Sequence, residues 1–312
     1  MTLSIGVDVG GTNLRIGVVD NTRVIRLQSL HADFARLCRE NAADIAWAGI
    51  LNAIALPLQE MLLAYPQVGS VGIGFPGFID PINKTVLQSP NLPGLYRVDL
   101  TSELSARLGK PVIVENDAAA AAYGESRLSR DGGDLIYIGL GTGVGSGLIL
   151  RGQPYSGQHG AAMEVGHIIV DYTSAARPCG CGNRGCLEQY ASASGVMQSY
   201  ALAGGVELDA IRVADLARAG DAKARAAFEL AGVYLAQVTA HLAKVLDVRL
   251  VVIGGGLSNA WDLMETVFNG RLQADLIPAL RGNLAVRISN SGDQAGIIGA
   301  ALLSELQSNT RL

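Results

Sequence analysis

The sequence predicts an α/β protein of two related halves, and three observations predict it. Short apolar runs of strand length alternate with longer helical stretches along the whole chain. The segment S-I-G-V-D-V-G-G-T-N-L-R-I-G-V near the start has a counterpart in L-I-Y-I-G-L-G-T-G-V-G-S-G-L from residue 135. Strand, Gly/Thr turn and strand thus occur twice, at a separation too long for a solenoid repeat. No Pro- or Ser-rich linker divides the 312 residues, and the join near Asp117 is short. That favours packed lobes meeting at a hinge over domains on a flexible tether.

Taken in order, L-S-I-G-V-D-V (3–9) alternates apolar side chains as a strand does. G-G-T-N turns the chain into a second strand, L-R-I-G-V-V-D, which makes a hairpin. A helix is expected from about Ala42 to Tyr65, and S-V-G-I-G-F-P is a strand ending in the loop P-G-F-I-D-P-I-N. The helix L-T-S-E-L-S-A-R-L-G closes on a glycine, which tolerates the left-handed conformation past a helix end. P-V-I-V-E is a short buried strand, and N-D precedes the helix A-A-A-A-A-Y-G-E. The second half opens with D-L-I-Y-I-G-L, G-T-G and V-G-S-G-L-I-L. Residues 205–246 are rich in Ala and Leu and mostly helical. R-L-V-V-I is a buried strand leading into G-G-G at 254–256. Q-A-G-I-I-G-A-A-L-L-S-E-L is a last helix with small residues on one face.

Hydrophobic residues make up 49% and charged residues 17%, the balance of a well-buried globular chain. The net charge is −4 and no basic run occurs, so binding of nucleic acid through its phosphates is not expected. No basic segment precedes an apolar core at the N-terminus, Asp8 interrupts the first apolar stretch, and no run reads as a membrane span. A soluble cytoplasmic protein is expected. Three of the four cysteines fall within residues 179–186, which is no disulfide framework. In a reducing compartment such a cluster reads as metal-binding or redox. Cys38, on an amphipathic segment, reads as a small buried residue.

Three glycine-rich turns each follow an apolar strand: Gly10–Gly11–Thr12–Asn13, Gly141–Thr142–Gly143 and Gly254–Gly255–Gly256. Glycine lets backbone N–H groups converge on an anion, and Thr12 and Thr142 add hydroxyl donors. One such turn is an ordinary tight hairpin. Three of them, two related by the repeat, point to a nucleoside triphosphate. The P-loop pattern is missing, and G-G-T-N leads into a strand, which excludes the Rossmann fingerprint. The four lysines, at 84, 110, 223 and 244, lie outside the turns. Compensation for the charge of ATP is therefore expected from backbone amides and a bound Mg²⁺. Asp8 beside the first turn is the carboxylate to hold that ion, with turn capping as its competing role.

D-V-G-G-T-N with I-G-L-G-T-G-V-G-S-G-L resembles the phosphate loops of the hexokinase–actin superfamily. With E-V-G-H and C-G-C-G-N-R-G-C-L-E added, the chain resembles the ROK family of bacterial sugar kinases over essentially its whole length. The resemblance implies two RNase H-like lobes of the actin-like ATPase kind, with ATP in the cleft and a sugar on its floor. The expected N-terminal lobe is 1–117, with the C-terminal helix, about 294–312, packing back on it. Residues 118–293 are the expected C-terminal lobe. By the same resemblance Asn116 binds the sugar and Asp117 is the general base for the attacking hydroxyl. Without it, Asn or Asp before an alanine run is a good N-cap. Asn91 in S-P-N-L-P-G and Gly77 in G-F-P-G match sugar-site loops of the family; alone they read as turn chemistry.

His167, Cys179, Cys181 and Cys186 offer one imidazole and three thiolates, a set that suits tetrahedral Zn²⁺. Four protein ligands close such a site, so the zinc is expected to be structural. Gly180, Gly182 and Gly185 let the chain fold back around it. A redox pair is the alternative. Glu164 and Glu188 flank the cluster and match family residues that contact sugar hydroxyls; their plain alternative is a pair of solvated carboxylates. His167 is expected to place one nitrogen on zinc and the other toward the sugar.

The implied function is ATP-dependent phosphorylation of a hexose. D-glucose leads, because C-L-E-Q-Y-A-S-A-S-G and G-F-P-G-F-I-D look most like glucokinases. Kinases of N-acetylmannosamine, N-acetylglucosamine, fructose and allose share nearly every motif. A sugar-sensing repressor of the family carries a helix-turn-helix ahead of the first strand, which here begins at Leu3. An actin-like structural ATPase needs no Cys/His cluster beside paired carboxylates. A homodimer is implied by the relatives, and no nucleic-acid or membrane partner is expected.

Overall fold

The structure, a computed structural model, describes residues 3–129, 133–292 and 294–310, the side chains of 307–310 excepted. It packs as two compact units. One takes Met1–Gly133, Gly147–Ala162 and Asp293–Leu312, and the other Asp134–Ser146 and Met163–Gly292. The sequence expectation divided the chain at 117; here residues 117–128 lie in the first unit, as does 147–162.

The first unit opens with β1 (Leu3–Val9), β2 (Asn13–Asp20) and β3 (Arg23–His31), then α1 (Phe34–Glu40), α2 (Ala43–Ala64) and β4 (Val68–Phe75). The short strands β5 (Phe78–Ile79), β6 (Val86–Gln88) and β7 (Tyr96–Val98) follow, then α3 (Leu100–Leu108), β8 (Val112–Asn116) and α4 (Asp117–Leu128). The main sheet has the order β3-β2-β1-β4-β8. β1 to β3 pair antiparallel, and β4 and β8 run parallel to β1. Ile5, Val7, Ile16 and Ile73 from this sheet and Ile50, Ile54 and Leu58 from α2 share one buried core. By length and composition alone α2 is apolar enough to cross a membrane. Its buried side chains belong to that core, while Ile45, Leu56 and Leu63 are exposed. β3 was not foreseen, because an edge strand carrying Arg23 and Arg26 with most residues partly wet shows little apolar patterning.

The second unit contains β9 (Leu135–Leu140), the start of β10 (Val144–Leu150), α5 (Glu188–Ala191), α6 (Ala193–Leu202), α7 (Ala210–Arg218) and α8 (Ala222–Leu246). It continues through β12 (Leu250–Gly254), α9 (Glu265–Asp275) and β13 (Ala285–Ile288), while β11 (Gln153–Pro154) falls in the range of the first unit. The second sheet has the order β11-β10-β9-β12-β13, with β12 parallel to both β9 and β13. Element for element this repeats the first sheet, as the duplicated strand–turn–strand motif leads one to expect.

The last helix, α10 (Gln294–Thr310), returns to the first unit. Its small-residue face has a steric reason. A Cβ on Gly72 of β4 would lie 1.7 Å from the Ala300 carbonyl oxygen, and one on Gly299 would lie 1.7 Å from that of Ala120 in α4. Only glycine permits backbone to approach that closely. The Ser70 and Ser304 hydroxyls meet at 2.7 Å, and Ser4 donates to Glu305 at 2.8 Å, which sets the helix's register on the sheet. The same contact surface carries α4 into the first unit. Gly72→Ala should destabilise the protein by about 3 kcal/mol and lower its melting temperature by roughly 5–10 °C. A thermal melt unchanged from wild type would mean α10 does not seat at this distance.

Candidate functional site

In the first unit β1, β4 and β8 are parallel, so their C-terminal ends share one edge of the sheet. Open α/β sheets carry their ligands at that edge. The first turn lies there, closed by Gly10 N–H donating to the Asn13 carbonyl at 2.8 Å. Gly11, Thr12 and Asn13 are exposed. A Cβ on Gly11 would meet nothing within 4 Å, so packing does not ask for glycine there. Its absence leaves the turn's amides open to an incoming group. Asp8 sits opposite Arg15 across the β1–β2 pair and accepts from its guanidinium at 3.3 Å.

At the end of β8, Asn116 caps α4, its Oδ1 accepting from Ala119 N–H at 3.0 Å. Its amide nitrogen donates to the Gly77 carbonyl at 3.1 Å. Gly77, at φ 129°, is pressed against Gln88 and Ser89, two residues short of exposed Asn91. Gly77, the Asn91 loop and Asn116 thus form one assembly. Asp117 is the first residue of α4, half-buried, with Oδ1 accepting from Ala118 N–H at 2.8 Å. The positive end of the helix lies at its carboxylate.

In the second unit β9 and β12 are parallel and deliver the other two turns to one edge. Gly141 N–H donates to the Gly143 carbonyl at 2.9 Å, and Thr142 is exposed. Gly254 ends β12. Gly255, at φ 81°, lies against Leu140, where a Cβ would stand 2.5 Å from the carbonyl oxygen. Gly256 begins a 3₁₀ helix through Leu263. The two turns are therefore neighbours.

Glu164 and His167 bracket a 3₁₀ turn, Val165–His167. Residues three apart eclipse in such a turn, and His167 Nε2 faces the Glu164 carboxylate at 3.8 Å. The glycine of E-V-G-H is sterically required, since a Cβ on Gly166 would lie 2.4 Å from the Val144 carbonyl oxygen. The turn's entry is set by Met163, in the left-handed region at φ 70°, whose carbonyl accepts from the Ser146 hydroxyl. Glu188 begins α5, and its Oε2 accepts from Val144 N–H at 3.1 Å. That oxygen would stand 2.4 Å from a Cβ on Gly143, so the glycine turn and Glu188 occupy each other's space. Loss of surrounding water pushes the Glu164 carboxyl above its usual range, opposed by His167 and aided by the Glu188 carboxylate.

Segments 168–170 and 185–187 pair backbone to backbone, with Leu187 N–H on Ile168 O at 2.9 Å and Val170 N–H on Gly185 O at 2.8 Å. This brings His167 to Cys186. A second reversal, bridged between Pro178 and Arg184, carries Cys179 and Cys181 to the same point. Gly182 and Gly185 take φ of 94° and 78° there, whereas Gly180 needs no left-handed conformation. The four ligand atoms lie within 4.8 Å of one another. Cys181 and Cys186 sulfurs are 3.7 Å apart, and Cys179 Sγ lies 3.6 Å from His167 Nδ1. Tetrahedral zinc with Zn–S of about 2.3 Å and Zn–N of about 2.1 Å implies separations of about 3.8 and 3.6 Å. The set fits that ion. Burial, then its hydrogen bonds to Cys181 and Cys179, push the Cys186 thiol up. Cys181 is opposed by burial but drawn down by the Asn183 backbone and its neighbouring thiols. A cation resolves such a set by replacing the protons.

Two groups here lack a motif to announce them. Buried Arg177 donates to the carbonyls of Gln189 and Gly195 at 2.6 and 3.1 Å and to Ser199 at 2.9 Å. Its guanidinium lies 4.3 Å over the Tyr190 ring, and the Tyr190 hydroxyl donates to Asp171 at 2.6 Å. That hydrogen bond holds the Asp171 carboxyl low. The network fastens the cysteine loop to the helices after Glu188. The other is Arg15, whose two-residue offset from the turn in β2 was the available signal.

A family model described as the ROK family matches residues 4–306. The glucokinase of Thermotoga maritima is 33% identical over 313 residues, covering 95% of each chain. The N-acetyl-D-glucosamine kinase of Salmonella newport is 33% identical over 308 residues, covering 96% of this chain and 98% of that protein. A crystal structure of a ROK family glucokinase from Streptomyces griseus, in complex with glucose and AMPPNP, is similar with a TM-score of 0.80 at 32% identity, covering 97% of this chain and 99% of that one. With the family model spanning nearly the whole chain and such relatives matched end to end, the protein belongs to the ROK family.

Proposed function

We propose that the protein transfers the γ-phosphoryl group of ATP to a hexose, with the 6-hydroxyl of D-glucose as the leading acceptor. The observation that carries this reading is Asp117: a carboxylate at the end of a parallel strand and the start of a helix, beside the Asn116–Gly77 assembly. In this reading Asp117 accepts the proton of the sugar hydroxyl as it attacks phosphorus in line. Asn91, Asn116, Gly77, Glu164, His167 through Nε2, and Glu188 receive the sugar. Backbone amides of the three glycine turns receive the phosphates. Asp8 would hold Mg²⁺, which when bound neutralises charge on the transferred group. His167 Nδ1, Cys179, Cys181 and Cys186 would hold a structural Zn²⁺, keeping Glu164, His167 and Glu188 at fixed separations.

The T. maritima and S. griseus glucokinases, at 33% and 32% identity, support glucose. The equal identity of the S. newport enzyme supports N-acetyl-D-glucosamine as a second acceptor class. A coupled ADP-release assay over glucose, N-acetylglucosamine, N-acetylmannosamine, fructose and allose separates them. Glucose should give the largest kcat/KM, and a larger value for an N-acetyl sugar would replace it.

Asp117→Asn should lower kcat by about 10²–10⁴-fold while the KM for hexose stays within a few-fold. Wild-type turnover in that variant would remove Asp117 from the base role. Metal analysis should find one zinc for each chain. Its chelation should raise the hexose KM and lower the melting temperature together, whereas an active, zinc-free preparation would dismiss the metal.

A further inference from the structure

We propose that Lys84 and Glu115 form a largely buried ion pair that positions Asn116 and Asp117 for catalysis, an inference resting on the kinase reading above. Glu115 immediately precedes the two residues on β8, and its side chain is 7% exposed. Lys84 Nζ meets Glu115 Oε2 at 2.7 Å, and the lysine side chain is 14% exposed. The other carboxylate oxygen, Oε1, accepts from the Asn116 backbone N–H at 3.0 Å. β8 is an edge strand, with β4 on one side only. The Glu115 side chain supplies that N–H with its partner.

Lys84 is held as firmly as its partner. Asp80 Oδ1 accepts from Ile82 and Asn83 N–H at 2.8 and 2.7 Å, and Lys84 N–H donates to the Asp80 carbonyl at 3.0 Å. The Thr101 hydroxyl donates to the Lys84 carbonyl at 2.8 Å. Lys84 itself sits at φ 57°, in the left-handed region where glycine is comfortable and lysine is not. The side chain carried by this strained residue is the one that meets Glu115. The chain of contacts runs from the 80–84 turn to Lys84, to Glu115, to the Asn116 backbone. Asn116 in turn caps α4 and grips Gly77, so the pair sets the direction in which α4 presents Asp117.

The pair also faces a cavity of about 470 Å³, lined by Lys84, Glu115, Gln153, Tyr155, Gln158 and Leu303. That space admits a small amine and permits a rescue test. In Lys84→Ala, assayed well below its own melting temperature with saturating ATP and hexose, kcat should fall at least tenfold while the KM for ATP stays within twofold. Propylammonium, which replaces the deleted atoms and charge, should restore most of the loss, and 1-butanol should not. The inference is overturned if folded Lys84→Ala keeps kcat within twofold of wild type, if propylammonium restores nothing, or if butanol restores as much. If Lys84→Ala does not fold, Glu115→Gln decides. It keeps the shape and the acceptor for Asn116 but leaves Lys84 without its counter-charge, and should lose at least fivefold in kcat; an unchanged kcat overturns the inference. Wild-type protein that shows no hexose-dependent ADP release would fail the kinase reading itself, a separate outcome.

Discussion

The start of β10 is the point at which the candidate site residues of the second unit meet. Val144 donates its N–H to Glu188, its carbonyl bars any side chain at residue 166, and Gly143 beside it leaves room for the Glu188 carboxylate. A glycine turn and two carboxylates flanking the cysteine loop therefore share one strand end. Moving Glu188 would disturb the turn, and widening the turn would displace Glu188. The tolerance of such a site is set by van der Waals contact, which is far stiffer than a solvated loop.

The cysteine loop reaches that strand end from a long way along the chain. His167 and Cys186 come together because short backbone pairings join 168–170 to 185–187, and Arg177 fastens the loop from beneath. A cation with two carbonyl acceptors, a hydroxyl and an aromatic face is well compensated, which its burial demands. The cluster and the Arg177 network act on different parts of the loop: one gathers its tip, and the other fixes its base.

The first unit solves its own problem by close backbone packing. α10 lies on β4 at Gly72 and crosses α4 at Gly299, so the helix that presents Asp117 is braced from behind. The Asn116 side chain then ties the front of α4 to Gly77. Asp117 is thus held by backbone contacts on one side and by directed hydrogen bonds on the other, and its carboxylate stands at the positive helix end. Loops that carry sugar-site candidates, around Gly77 and Asn91, flank a small sheet of their own, β5-β6-β7.

Much of this was legible in one dimension. The duplicated strand–turn–strand motif, the helix over residues 43–64, the glycine-terminated helix ending at Leu108 and the small face of α10 all follow from local patterning, because periodicity and glycine placement are properties of neighbouring residues. The gathering of His167 with Cys179, Cys181 and Cys186 was legible too, since three cysteines fall within eight residues. Edge strand β3, the partnership of Asp8 with Arg15, the Arg177–Tyr190–Asp171 network and the Lys84–Glu115 pair were not. The three pairings join polar residues through strand register or across roughly ten to thirty positions, and a charged residue in sequence looks the same whether solvated or buried. Residue types and their spacing thus determined the architecture and the chemical inventory. Only the tertiary structure decided which carboxylate meets which cation and which backbone amide, because burial and direction arise where distant segments pack.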